Sequence, residues 1–202
     1  MDFMSTAILE PPAARAAPAR RLLTAADLAA LPTSLPSGDV RYELDDGELI
    51  VMPPPGYDHG RRQAKIVRYL DSEAEERGLG QACAEVGIIL RRNPDRVVGA
   101  DAAFILKASL PVRRAKEGYL ETIPEIVVEV RSKNDRMNEV RAKKEEYFDA
   151  GVKLVWVIDP DQRTVAAHEP GSPVKSFTIV DVLTTELLPG FAVPVEKLFT
   201  GS

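Results

Sequence analysis

Residues 124–136 read PEIVVEVRSKNDR, and the fold turns on how the acid in the middle of that stretch is understood. Ile126, Val127, Val128 and Val130 form the apolar, β-branched run expected of a strand covered on both faces. Glu129 interrupts it. An ionised carboxylate there loses hydration worth several kcal/mol unless a cation or hydrogen bonds replace it. Upstream, residues 97–106 (VVGADAAFIL) repeat the pattern, with Asp101 in the same predicament. Two acids on two interior strands suggest a divalent metal site.

Downstream, Asn134 or Asp135 is placed to cap a helix running to Ala150, with Gly151 as its stop. KLVWVIDP (residues 153–160) is a further buried strand. A strand–helix–strand step of this kind implies a right-handed parallel crossover in a mixed sheet. Strands at residues 164–169 and 176–179 are expected to extend that sheet as antiparallel edges, and LLPGFAVPVEKLF (residues 187–199) to pack back on the body.

Working the other way, Thr24 reads as the N-cap of a short helix, AADLAAL, that ends before Pro32. RYELDDGELIVM (residues 41–52) is a β-hairpin turning at Asp45, Asp46 and Gly47. Residues 59–77 predict an amphipathic helix with Ile66, Tyr69, Leu70 and Ala74 inward. A strand follows at about residues 82–91. The fold class is therefore α/β: a central mixed sheet flanked by helices, with an N-terminal hairpin. Residues 1–21, rich in Ala, Pro and Arg, are expected to be a disordered tail, and residues 22–202 a single domain.

Composition closes off several functions. One cysteine, Cys83, and two histidines, His59 and His168, cannot build a disulfide framework, a cysteine-rich zinc site or a His-dominated centre. The lone thiol and the absence of a secretory apolar segment suit the cytoplasm. No apolar run is long enough for a membrane helix. Phosphate-cradling glycine motifs, a nucleophile elbow and helix-turn-helix or zinc-finger spacings are missing. The formal charge of −5 argues against a generally basic nucleic-acid binder but not against a local basic groove.

If the two acidic strands are neighbours, Asp101 and Glu129 converge, and hard oxygen donors favour Mg²⁺ or Mn²⁺. The competing reading pairs each acid with an arginine, Arg131 or Arg136. Lys143 and Tyr147 lie four apart on one helix face, so the ammonium could approach the acids; a helical wheel instead puts Lys144 nearer the apolar stripe. Glu43 or Glu48 on the hairpin could supply a third acid. His59 reads either as a phosphate or proton-transfer group or as a helix residue facing water. Basic residues gather at Arg61, Arg62, Lys65 and Arg68, at Arg91 and Arg92, at Arg113, Arg114 and Lys116, and around Lys133, Arg136 and Arg141.

Six segments in order, LTAADLAALP, RYELDDGELIVMPPPGYDHG, VVGADAAFI, PEIVVEVRSKNDR, KKEEYFDAGVKLVWVIDP and LPGFAVPVEKLF, resemble the Uma-type restriction endonuclease family of the PD-(D/E)XK nuclease superfamily. The resemblance spans residues 23–199. It implies a Mg²⁺-dependent (or Mn²⁺-dependent) DNA endonuclease in which Asp101 and Glu129 hold the metal, Lys143 assists the attacking water and Glu43 takes part in catalysis. It also implies that His59, Ser132, Tyr147 and Arg131 contact substrate. Arg131 stands where the superfamily lysine is expected, and the K-x-x-x-Y pattern of Lys143 and Tyr147 replaces it. Ala100 stands for the proline of the PD pair, and Ser132-Lys133-Asn134 for Ser-Pro-Ser. DNA is the implied partner, and a homodimer would suit double-strand cutting. A non-catalytic DNA-binding or regulatory module on the same fold is the alternative.

Overall fold

The structure, a computed structural model, describes residues 21–36, 38–113, 118–132 and 137–200. The expected tail lies outside them apart from Arg21, whose guanidinium holds Asp27 at 2.7 Å. The expected cap at Asn134 or Asp135 also lies outside.

The chain opens with helix α1 (Ala25–Ala29), a small β1/β2 pair (Ser34–Leu35, Gly38–Asp39) and the hairpin β3 (Arg41–Asp45) and β4 (Glu48–Met52). Helix α2 (Tyr57–Leu70) leads into the long strands β5 (Gly80–Arg91) and β6 (Arg96–Leu106). Then come β7 (Ile126–Val130), α3 (Met137–Ala150) and β8 (Leu154–Asp159). The remainder is β9 (Thr164–His168), β10 (Lys175–Phe177), a β11/β12 pair (Val182–Leu183, Val193–Pro194) and α4 (Glu196–Phe199).

Local chemistry explains the joints. Thr24 caps α1 with a reciprocal box, its hydroxyl accepting the Asp27 N–H while Asp27 accepts the Thr24 N–H at 2.9 Å. Asp46 (φ 50°) and Gly47 (φ 79°) supply the left-handed pair that a two-residue hairpin needs. The α-helical part of α2 ends at Leu70, and a wider π-helical turn over Asp71–Glu75 carries it close to the expected Arg77. There Glu76 donates to the Asp71 carbonyl five residues back at 2.9 Å. The two minor hairpins are unforeseen because two-residue strands carry no readable period.

The main sheet runs β10-β9-β8-β7-β6-β3-β4, with β5 paired to β6. Strands β7 and β8 are parallel across α3, and β8, β9 and β10 are antiparallel neighbours, as the sequence predicts. Alternation along β7 divides the core. Ile126, Val128 and Val130 pack with Ile66, Leu70 and Ala74 of the α2 side and with Leu198 and Phe199 of α4. Val127 faces the other way, toward Tyr147 of α3. Tyr69, expected inward, is only half-buried, because it sits on the flank of the α2 stripe. Among the described residues, no helix is long and apolar enough to cross a membrane.

The β5/β6 joint is tight. A Cβ on Gly80 would stand 2.1 Å from the Ile105 carbonyl oxygen and 2.6 Å from the Phe104 ring. Backbone cannot give way there as a flexible side chain could. Gly80→Ala is therefore expected to cost about 2–3 kcal/mol, read as a lowered urea midpoint with an unchanged slope.

Candidate active site

Strand β6 pairs with β5 along nearly its whole length, but its other edge is shared. Strand β7 covers Ala102 to Phe104, and β3 meets it at Val97. Between these junctions the sheet forks, and on this edge residues 98–101 face no strand, although β5 still pairs with residues 98–100 on the other. The backbone groups on the open edge must find other partners.

Side chains supply them. Glu43 of β3 accepts the Gly99 N–H at 2.9 Å, and Lys143 of α3 donates to the Gly99 carbonyl at 2.8 Å. Gln63 of α2 donates to the Asp101 carbonyl at 2.9 Å. The Asp101 carboxylate accepts the Val130 N–H at 2.7 Å, taking the place of the next ladder bond. The strand also turns over here: Ala100 packs on the α3 side and Ala102 on the α2 side, with Glu85 at φ 47° on the adjacent strand.

The same groups converge electrostatically. Lys143 Nζ lies 3.2 Å from Glu129 Oε1 and 3.6 Å from Glu43 Oε1. Tyr147 is fully buried, and its hydroxyl donates to Glu129 at 2.5 Å. His59 Nε2 meets Asp101 Oδ1 at 2.8 Å. Burial raises Glu129 to about 7; the Lys143 charge opposes the shift and the Asp101 charge reinforces it. Burial would lower Lys143, but Glu129 and Glu43 outweigh it and hold the ammonium charged above its usual range. Burial likewise opposes protonation of His59, and the Asp101 hydrogen bond and charge prevail, raising it. Burial and the neighbouring acids push Tyr147 well up, so it stays a donor.

A cleft of about 1190 Å³ opens over these residues, lined by Glu43, His59, Asp101, Glu129 and Lys143, with Arg41, Arg163 and Tyr119 on its walls. It is wider than the roughly 300–1,000 Å³ of ordinary small-molecule pockets. Among the described residues, no group of three or more His, Cys, Asp or Glu side chains is placed to hold a metal ion. The Asp101 and Glu129 pair nonetheless fits one kind of ion. Mg²⁺ takes one or two carboxylates and completes its shell with water and phosphate oxygens. Burial is the main reason Glu129 holds a proton so readily, and a bound cation beside it would favour the ionised form.

The model of the Uma2 family, described as "Putative restriction endonuclease", matches residues 25–196. The chain belongs to this family. A crystal structure described as "a putative nuclease belonging to DUF820" from Anabaena variabilis shares the fold of this Uma2 chain. It has a TM-score of 0.69 at 20% identity, covering 88% of this chain and 98% of that one. A search of curated proteins returns no significant match.

Against this Uma2 frame the sequence-derived residues can be placed. Asp101, Glu129, Lys143, Glu43 and His59 are brought together. Lys144, favoured by the wheel, instead lies 3.3 Å from Glu145. His59 does not face water; its ring is held by Asp101. Tyr147 stands behind Glu129, to which its hydroxyl donates, and outside the cleft lining. Ser132 lines the cleft. Arg131 lines it too, but its guanidinium is paired with Asp159. The arginine partner proposed for Glu129 is therefore not Arg131, and Arg136 lies outside the described residues. Gln63 was missed, although it sits one helical turn from His59 on the same face of α2, a spacing that could have flagged it.

Proposed function

We propose that this Uma2 chain is a metal-dependent DNA endonuclease hydrolysing phosphodiester bonds. The observation that carries the reading is the convergence of Asp101, Glu129 and the Lys143 ammonium at the fork of the sheet, inside a cleft of about 1190 Å³. Asp101 and Glu129 would hold Mg²⁺ or Mn²⁺. Such an ion, when bound, polarises a phosphate and lowers the pKa of water.

The chain's own groups have separable tasks. Lys143, kept charged by Glu129 and Glu43, would orient the attacking water and stabilise charge developing on the phosphate. Tyr147 fixes one oxygen of Glu129. His59 fixes one oxygen of Asp101, and the Val130 N–H fixes the other. Glu43 clamps the Gly99 backbone and steadies Lys143. Ser132 and Arg131 at the cleft wall would contact the backbone of DNA without specifying its sequence. A homodimer would serve double-strand cutting, and the cytoplasm would be the site of action.

The alternative, a DNA-binding module that does not cut, is favoured by one observation. Both Asp101 oxygens are already engaged, by His59 and by Val130. Supercoiled, linear and single-stranded DNA incubated with millimolar Mg²⁺ or Mn²⁺ separates the two. Metal-dependent nicking or linearisation is expected. Isothermal titration showing no metal binding at millimolar concentration, together with intact DNA, would instead support the binding module.

A further inference from the structure

A second groove, of about 500 Å³, runs along the outer face of α2 where α4 meets it. Arg61, Lys65, Arg68 and Lys197 line it, and among the described residues no acid does. The three residues on α2 are spaced i, i+4 and i+7, so they form one row about 10.5 Å long. Arg61 lies over the Tyr57 ring at 5.5 Å and Arg68 over Tyr69 at 4.5 Å, which limits the freedom of both guanidiniums. Lys65 donates to the carbonyls of Lys197 and Thr200, fastening the end of the chain beside the row. Partial desolvation and the charges of Arg62, Arg61 and Arg68 lower the pKa of Lys65, with no carboxylate opposing them.

Such crowding of like charge on a chain of net charge −5 is a local feature that overall composition does not explain. It also adjoins the cleft through a single helix, because Tyr57, His59 and Arg62 of α2 line the cleft itself. An anionic membrane surface would call for apolar groups to bury, and among the described residues the groove offers only Ala64 and the Tyr69 ring beside its cations. A row of about 10.5 Å is long enough to lie against neighbouring phosphates of one DNA strand.

We infer that this groove is a second nucleic-acid contact, which tracks the phosphate backbone of duplex DNA outward from the cleft without reading its sequence. The inference rests on the nuclease reading for its choice of partner, but its test does not require cleavage. The full chain is titrated into a fluorescein-labelled 30-bp duplex in EDTA, and anisotropy is followed at several KCl concentrations. The triple variant Arg61→Ala, Arg68→Ala and Lys197→Ala leaves Lys65 to hold the tail. It is expected to bind about tenfold or more weakly at 0.1 M salt and to flatten the log–log salt slope by about 2–3. Arg61→Lys with Arg68→Lys should keep most of the affinity, since a phosphate contact needs the charge.

Glu129→Gln should bind at least as well as the parent chain, so loss of cleavage and loss of this contact are read separately. DNA binding that depends on the row, in a chain that never cuts, would uphold the contact and remove the active-site reading. Unchanged affinity and slope in the triple variant would overturn the inference. Binding to phosphatidylserine vesicles without binding to DNA would overturn it too.

Discussion

Glu129→Gln is expected to abolish metal-dependent cleavage while making the metal-free protein more stable. The loss of activity follows from removing one of two carboxylates that would hold the cation: a fall of about 10²–10³-fold or more, comparable to deleting a single transition-state stabiliser. Asp101→Asn should match it. The gain in stability follows from the raised proton affinity of Glu129, about 7 in the folded chain against an ordinary 4.5. Between those pH values the folded form carries a proton that the unfolded form has released. Stability therefore declines as pH rises from 4.5 through about 7 and stays reduced above it. Glutamine cannot ionise and escapes that decline. Melting in EDTA should show the variant's advantage growing across this window to about 1–3 kcal/mol and then levelling. A variant less stable than the parent at pH 8 would mean that Glu129 is a member of a structural ion pair, and the active-site reading would fall.

Lys143→Met should behave in the opposite way on stability. Its ammonium is the cation shared by Glu129 and Glu43 and the donor to the Gly99 carbonyl. Removing it takes the ammonium from two interior acids, leaving Glu129 with the Tyr147 hydroxyl and Glu43 with the Gly99 N–H and Arg96 at 3.8 Å, and it strands the Gly99 carbonyl, at a cost of about 2–4 kcal/mol. The cost is bounded because Glu129 can take up a proton. Cleavage should fall by about 10²-fold or more as well. Adding Glu129→Gln to Lys143→Met should stabilise that chain by about 1 kcal/mol more than the same change stabilises the parent, a coupling expected only of groups in contact. Arginine at this position should rescue neither property, since a planar fork does not replace a point charge wedged among three oxygens. Urea denaturation of the four chains, with cleavage measured in parallel, tests this. A normal midpoint and full cleavage in Lys143→Met would show the ammonium to be a bystander.

What could be read in advance depended on period and on interruption. The apolar runs around Glu129 and Trp156 made strands β7 and β8 legible, because buried β-branched stretches have few other homes. Asp46-Gly47 announced its hairpin, because few residue pairs accept two positive φ angles. The nearness of Asp101 and Glu129 was legible only as a consequence of their strands being neighbours, and β6 and β7 do pair, with Ala102 opposite Val128. The fork was not legible. It arises from β3 and β7 competing for one edge of β6, a contest between segments some eighty residues apart that no local pattern records. The contact of Gln63 and the ring of His59 turned onto Asp101 lie at that fork, whereas the pairing of Arg131 with Asp159 follows from the adjacent ends of β7 and β8.

The fork also bears on inheritance. Glu43, Asp101 and Lys143 stand in for the hydrogen bonds of a missing strand, so each is bound into the architecture whatever chemistry it performs. A descendant that ceased to cut would still be held to these residues by the need to seal its sheet. Loss of activity in such a lineage would show first at positions free of that duty, at the cleft wall and along the outer row of cations, while the interior acids endured.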